Sequence, residues 1–205
     1  MYVIADRKAA GCRPILDLVQ AAIRGGATVV QLREKAATTR EMVELGRALH
    51  GLTAATGIPL IVNDRIDVAL AVGAEGVHLG VDDMPVVLAR QILGPARIIG
   101  ASPETTKGAC QAERDGADYL GIGDVFGTPS KGDAGRPIGL EGLARVVGAV
   151  SIPVVAIGGI RPENAGSAIE AGAAGVAVIS AVVSAEDPEA ATRRLHEAVR
   201  AARAR

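Results

Sequence analysis

One short signal recurs four times along the chain: Gly-Ala followed by an apolar run. It reads GATVVQLR from Gly26, GAEGVHLG from Gly73, GADYLGIG from Gly116 and GAAGVAVIS from Gly172. Each copy follows a segment of helical character, where glycine suits the left-handed position at a helix C-terminus. Four further apolar runs alternate with these copies: YVIAD (2–6), IPLIVND (58–64), ARIIGAS (96–102) and IPVVAIGG (152–159). The segments between have helical periodicity. In the one beginning at Thr39, for example, Met42, Leu45, Leu49 and Leu52 fall on one stripe. Eight strands alternating with seven helical regions, with a last helix over 188–205, predict an α/β fold. Eight such units predict a closed (β/α)8 TIM barrel. No linker breaks the pattern, so one barrel domain over 1–205 is expected.

Composition narrows the functional classes. Hydrophobic residues make up 49% of the chain, enough for a large core, and the formal net charge is −1. No basic field points to nucleic acid, and one Phe, two Tyr and no Trp leave little for base stacking. Cys12 and Cys110 have neither metal-site spacing nor a disulfide framework, which favours a reducing, cytoplasmic setting. The MYVIADRK start does not have the pattern of a signal peptide. No apolar run reaches the roughly 18 residues of a membrane span. Small molecules are therefore the expected partners, with neither nucleic acid nor membrane, and a homo-oligomer is compatible with this composition.

In barrels of this kind the chemistry sits at the C-terminal strand ends. Here strand 2 ends in Gln31, Arg33 and Lys35, strand 3 in Asn63 and Asp64, strand 4 in His78 to Asp83, and strand 5 in Ser102. Strand 6 runs into a long polar loop, GDVFGTPSKGDAGRP, while strands 7 and 8 end in Gly158-Gly159 and Ile179-Ser180. The opposite loops are short and bland, and that asymmetry argues for an enzyme. Backbone N–H groups after strands 7 and 8 often cradle phosphate, although two glycines can equally serve only to turn a tight corner. Arg33 and Lys35 share one facing, because strand side chains alternate. With Lys131 they would surround a polyanion, or else pair with Glu34 or a neighbouring carboxylate. Asp64 and Asp83 end adjacent strands and would suit Mg²⁺, which takes one or two carboxylates plus water and phosphate oxygens. Each is also placed to cap the helix that follows it, and Asp82 is an alternative ligand. His78 is expected to line the barrel with its hydrogen bonds satisfied. GIGDVFG and GTPSKGDAG lack the spacing of dinucleotide and P-loop fingerprints. No Ser-His or Cys-His arrangement is evident.

Taken in order, QLREK (31–35), VNDRIDVALAVGAEGVHLG (62–80), IIGAS (98–102), TPSK (128–131), IGGI (157–160) and GVAVISA (175–181) resemble the thiamine phosphate synthase family over nearly the whole chain. That family joins a hydroxymethylpyrimidine diphosphate to a (carboxy)thiazole phosphate and releases pyrophosphate. The resemblance implies that Gln31, Leu32, Arg33, Glu34 and Lys35 meet the pyrimidine diphosphate, with Asn63 on the ring. It implies Asp64 and Asp83 as Mg²⁺ ligands, and Ser102 and Lys131 on the departing pyrophosphate. Thr128, Pro129 and Ser130 would contact the thiazole, whose phosphate would lie on Gly159, Ile179 and Ser180. Arg33, Lys35, Ser102 and Lys131 would carry the catalytic charge stabilisation. The loop departs from the family pattern: Asp124 and Gly127 replace prolines and Ser130 replaces threonine, while Val81 stands where glutamine is usual. The related thiazole tautomerases carry a titratable residue at the position of Asp124, so a second reading makes Asp124 an acid/base on the thiazole phosphate. A non-catalytic phosphate-binding barrel is the third.

Overall fold

The computed structural model describes residues 1–128 and 137–204. Eight strands alternate with helices: β1 (Tyr2–Asp6), β2 (Val29–Arg33), β3 (Leu60–Asn63), β4 (Gly76–Leu79), β5 (Ile98–Ala101), β6 (Tyr119–Ile122), β7 (Val154–Ile157) and β8 (Gly175–Val178). All neighbours are parallel, and β8 closes on β1 to complete the barrel. The outer ring holds α2 (Ile15–Arg24), α3 (Thr39–Ala54), α4 (Ile66–Val72), α5 (Val86–Leu93), α6 (Thr106–Arg114), α7 (Gly139–Val147), α8 (Pro162–Glu170) and α10 (Pro188–Arg203). Two short helices were not expected from the sequence: α1 (Arg7–Ala10) directly after β1, and α9 (Ser180–Val183) directly after β8. Four residues cannot establish a 3.6-residue period, so such turns escape a search by periodicity.

The Gly-Ala repeat has one structural meaning, realised four times. The alanine N–H reaches back five residues in each copy: Ala27 to Ala22, Ala74 to Ala69, Ala117 to Ala112 and Ala173 to Ala168, at 3.0–3.1 Å. The preceding glycine N–H bonds the carbonyl three residues back: Gly26 to Ile23, Gly73 to Leu70, Gly116 to Glu113 and Gly172 to Ile169. This pair of bonds is the Schellman motif, which satisfies carbonyls that a helix end would otherwise leave unpaired. It requires positive φ at the glycine, and the four values are 103°, 76°, 100° and 97°. Each alanine is buried, so every helix turns sharply into the next strand.

Strand alternation divides the core into two layers. Val3, Val30, Leu32, Leu60, Val62, Ile99 and Leu120 pack outward under the helices. Tyr2, Ile4, Ile61, Ala177 and Ile179 fill the barrel interior, with Tyr119, Val155 and Ile157 packed against them. Met42 and Leu49 of the α3 stripe are fully covered, and Leu45 and Leu52 are partly so. No helix among the described residues is long and apolar enough to cross a membrane.

Gly73→Ala tests the motif in isolation, because an added Cβ there would meet nothing closer than 3.6 Å. The left-handed backbone should cost about 1–2 kcal/mol. Urea unfolding should show that loss with an unchanged m-value.

Candidate active site

The C-terminal strand ends open on a cavity of about 980 Å³, near the upper end for small-molecule sites. From β2 and its end come Gln31, Arg33 and Lys35, and from β3 come Asn63 and Asp64. Asp83, Ser102 and Thr128 line it as well, as do Gly159, Ile179 and Ser180 across the mouth. All but two of the described candidates thus face one space. Leu32 and Glu34 contribute no side chain to it, because alternation turns them away. Leu32 is fully buried in the helix-facing core, and Glu34 pairs with Arg7. Pro129, Ser130 and Lys131 lie outside the described residues.

Arg33 and Lys35, two of the cations that line the cavity, are already paired. Arg33 Nη1 bonds Asp6 Oδ2, and Lys35 Nζ bonds Asp64 Oδ2. A carboxylate neighbour was one expectation for this pair, and the structure names Asp6 and Asp64 rather than Glu34. Asp6 is 6% exposed, and its other oxygen accepts the Ala9 N–H at 3.1 Å, capping α1. Sequence reading passed over it, although its place at the end of β1 was a usable signal.

Neither Asp64 nor Asp83 caps a helix. The N-cap positions of α4 and α5 are Arg65 and Pro85, each without a side-chain cap bond. Asp64 is instead the one non-glycine with positive φ, 63°, among the described residues. The Arg65 N–H bonds the Asn63 carbonyl at 2.8 Å, closing a γ-turn of the rarer, strained hand around Asp64. The Asp64 N–H is tied to the His78 carbonyl of β4 at 2.8 Å. Strain of this kind is held only where the surroundings fix it, and it gathers at functional sites. Asp83 accepts the Gly80 N–H at 2.7 Å. Burial raises its carboxyl above the usual range, and a hydrogen-bonded Asp64 raises it further, against the Gly80 amide and the Lys35 charge. The two acids therefore share one locality at which negative charge is in excess.

Ser102 and His78 are hydrogen-bonded, with Oγ 2.7 Å from Nε2. A Ser-His pair thus exists, contrary to the sequence expectation. It is made across strands β4 and β5, where no motif spacing can reveal it. The other histidine nitrogen meets Tyr119, so the ring is satisfied within the barrel, as a lining histidine should be.

Asp124 accepts two backbone N–H groups, Gly127 at 2.9 Å and Thr128 at 2.6 Å. Where the family pattern has prolines, the Asp124 carboxylate ties the loop to itself. The loop also lies on the glycines after β7. A Cβ at Gly158 would sit 2.1 Å from Asp124 Oδ1, and one at Gly159 would sit 2.4 Å from the Gly127 carbonyl. Packing therefore already requires glycine at both places, and any anion role rests on their position rather than on their identity.

A barrel whose wide C-terminal cavity gathers cations, paired acids and the strand 7 and 8 termini has the build of the phosphate-handling (β/α)8 enzymes. Within that class the relationship is specific. Residues 1–182 match the model of the thiamine monophosphate synthase family. The chain is 60% identical to the thiamine-phosphate synthase of Roseiflexus castenholzii, over 95% of this chain and 86% of that one. It is 58% identical to the Moorella thermoacetica enzyme, over 99% and 97%. The solved thiamine phosphate pyrophosphorylase of Pyrococcus furiosus superposes with a TM-score of 0.90 at 49% identity, covering 98% and 95%. The chain belongs to the thiamine monophosphate synthase family.

Asp124→Ala should free the Gly127 and Thr128 amides. Hydrogen exchange at those two sites should accelerate at least about tenfold, since a bond to a charged acceptor contributes about 1.5–3 kcal/mol.

Proposed function

We propose that this barrel is a thiamine-phosphate synthase: it transfers the pyrimidine methylene of a hydroxymethylpyrimidine diphosphate to the nitrogen of a thiazole phosphate, releasing pyrophosphate. The observation that carries this reading is the convergence of Arg33, Lys35, Asp64, Asp83 and Ser102 on one mouth, opposite Gly159 and Ile179. The two phosphate-bearing substrates would then occupy opposite walls.

The reaction needs no side-chain nucleophile. The C–O bond to the diphosphate breaks first, and the pyrophosphate departs with the electron pair. The thiazole nitrogen then closes on the pyrimidine-stabilised cation. Charge grows on the leaving group, so donors fixed there favour the transition state over the ground state. Arg33 and Lys35 supply that charge, and Ser102 supplies a neutral donor. Gln31 and Asn63 hold the pyrimidine side, and Lys131 is assigned to the pyrophosphate on the family pattern. The thiazole phosphate is placed where α9 begins, since the leading N–H groups of a helix have no partner within it. Thr128, Pro129 and Ser130 belong to the thiazole wall in the same reading.

Asp64 and Asp83 fit Mg²⁺. They are two hard-oxygen donors whose mutual repulsion a cation would relieve, leaving coordination places for water and diphosphate oxygens. Bound there, the metal would act as a Lewis acid and a template for the diphosphate. The free thiols Cys12 and Cys110 support a reducing, cytoplasmic setting. Asp124 is given a structural role, because both of its oxygens are occupied by loop amides.

The test is pyrophosphate release with both substrates supplied. It should require Mg²⁺, and either EDTA or Asp83→Ala should lower it at least about a hundredfold, since metal charge stabilisation is worth several kcal/mol. Full turnover in EDTA would overturn the metal assignment. Asp124→Asn, which can accept only one of the two loop amides, should lower pyrophosphate release by no more than about tenfold, the scale of one lost hydrogen bond. Its abolition, together with metal-independent tautomerisation of the thiazole phosphate by the parent, would favour the tautomerase.

A further inference from the structure

A hydrogen-bonded chain crosses the floor of the cavity. Gln31 Nε2 donates to the Tyr2 hydroxyl at 2.9 Å, and the Tyr2 and Tyr119 hydroxyls are 2.8 Å apart. Tyr119 Oη lies 2.9 Å from His78 Nδ1, and His78 Nε2 lies 2.7 Å from Ser102 Oγ. Five side chains from strands β1, β2, β4 and β6 and the end of β5 thus form one line ending at the mouth.

Proton counting gives the line a direction. Each phenol has one proton to give, and among the described residues neither phenol has a partner outside the line. Tyr2 receives from Gln31 and so passes its proton toward Tyr119, and Tyr119 passes its own to His78 Nδ1. The ring then carries its proton on Nε2 and donates it to Ser102 Oγ. Ser102 is left with its hydroxyl proton turned away from His78. Run the other way, the line would commit that proton to His78 and leave Ser102 only lone pairs, which repel an anion. Burial raises both phenols above the ordinary tyrosine range, so both keep their protons.

We propose that this chain fixes the Nε2–H tautomer of His78 and thereby holds the Ser102 hydroxyl as a donor aimed into the cavity, with Tyr119 and His78 as positioning residues. The proposal rests on the reading that the departing pyrophosphate lies against Ser102. The barrel is built around the line. A Cβ at Gly100 would sit 2.1 Å from Tyr119 Cζ, and one at Gly121 would sit 3.0 Å from His78 Cε1 and 3.2 Å from Ser102 Oγ. These two strand positions give up their side chains to the rings. With His78 in this tautomer every member is neutral, so the line can be buried without the desolvation cost of an ion. Tyr119 acts directly on the histidine, whereas Tyr2 acts one step further back.

The test begins on the free protein with ¹⁵N-labelled histidine, the His78 signal being assigned by its loss in His78→Gln. Long-range ¹H–¹⁵N spectra should show the Nε2–H tautomer in the parent, and an Nδ1–H tautomer there overturns the proposal. Tyr119→Phe should shift His78 toward the other tautomer, and Tyr2→Phe, which cuts the link to Gln31 but leaves the Tyr119 hydroxyl in place, should shift it less. In turnover, Tyr119→Phe should lower kcat about tenfold, the scale of one buried hydrogen bond, with KM for the pyrimidine diphosphate within about twofold. In a Ser102→Ala background the same substitution should have no further effect, because the two act as one unit. An undiminished Tyr119→Phe effect in that background, or equal effects of the two tyrosine variants, would show a packing role and overturn the proposal. If the parent releases no pyrophosphate, the synthase reading fails, while the tautomer still decides the hydrogen-bond direction.

Discussion

The interior of an eight-stranded barrel offers a fixed and small volume, and what fills it decides what the cavity above can hold. Aliphatic side chains could fill this one throughout. Instead Gly100 and Gly121 leave room for the Tyr119 and His78 rings. The register makes the exchange local: Gly100 lies beside His78 on one side and beside Tyr119 on the other. Losing two side chains weakens strand packing, since glycine contributes nothing to pack and carries an entropic cost. A polar, hydrogen-bonded floor replaces that packing, and no buried side-chain polar atom among the described residues is left without a partner.

The mouth obeys an electrostatic version of the same constraint. Arg33 and Lys35 are long, flexible cations that would sample many rotamers if unpaired. Asp6 and Asp64 hold them in place. Lys35 is more than half exposed, so its pair adds little to stability; its effect lies in placement. In the proposed reaction an incoming diphosphate would compete with these carboxylates for cations already held at the mouth. The buried partner Asp6 matters more, because its other oxygen also fixes the start of α1. One residue therefore joins the β1 terminus, a short helix and the Arg33 guanidinium.

The parts of the molecule that were legible in the sequence are those whose signals are local. The Gly-Ala copies announced helix-to-strand turns because the Schellman motif is written within six consecutive residues. Strand-end residues such as Gln31, Asn63 and Ser102 were legible because a two-residue period and one rule about barrels place them. Asp6, Tyr2 and Tyr119 were not, since their roles exist only once β1, β2, β4 and β6 are side by side. Leu32 and Glu34 show what a contiguous motif leaves unsaid. It names five residues in a row, while the pleat sends only the side chains of Gln31, Arg33 and Lys35 to the cavity.

Asp124 was legible as a departure, but its use was not. Proline orders a loop by narrowing the unfolded ensemble, whereas a carboxylate orders it by accepting amides in the folded one. Asp124 takes the second route, and it needs Gly158 beneath it, because a Cβ there would occupy the position of its own oxygen. Gly158 has φ of 98° and Gly159 of 64°, so the corner after β7 and the loop after β6 are shaped for each other. The loop backbone reinforces the contact, with the Val125 N–H on the Ile157 carbonyl at 3.0 Å and the Phe126 N–H on Gly158 at 3.1 Å. Asp124 also lines the cavity, but each of its oxygens is engaged by one of the protein's own amides. Taking up a substrate proton would remove the charge that strengthens both bonds, and so loosen the loop that forms one wall of the cavity. That conflict is the physical ground on which the proposed function gives Asp124 to architecture rather than to proton transfer.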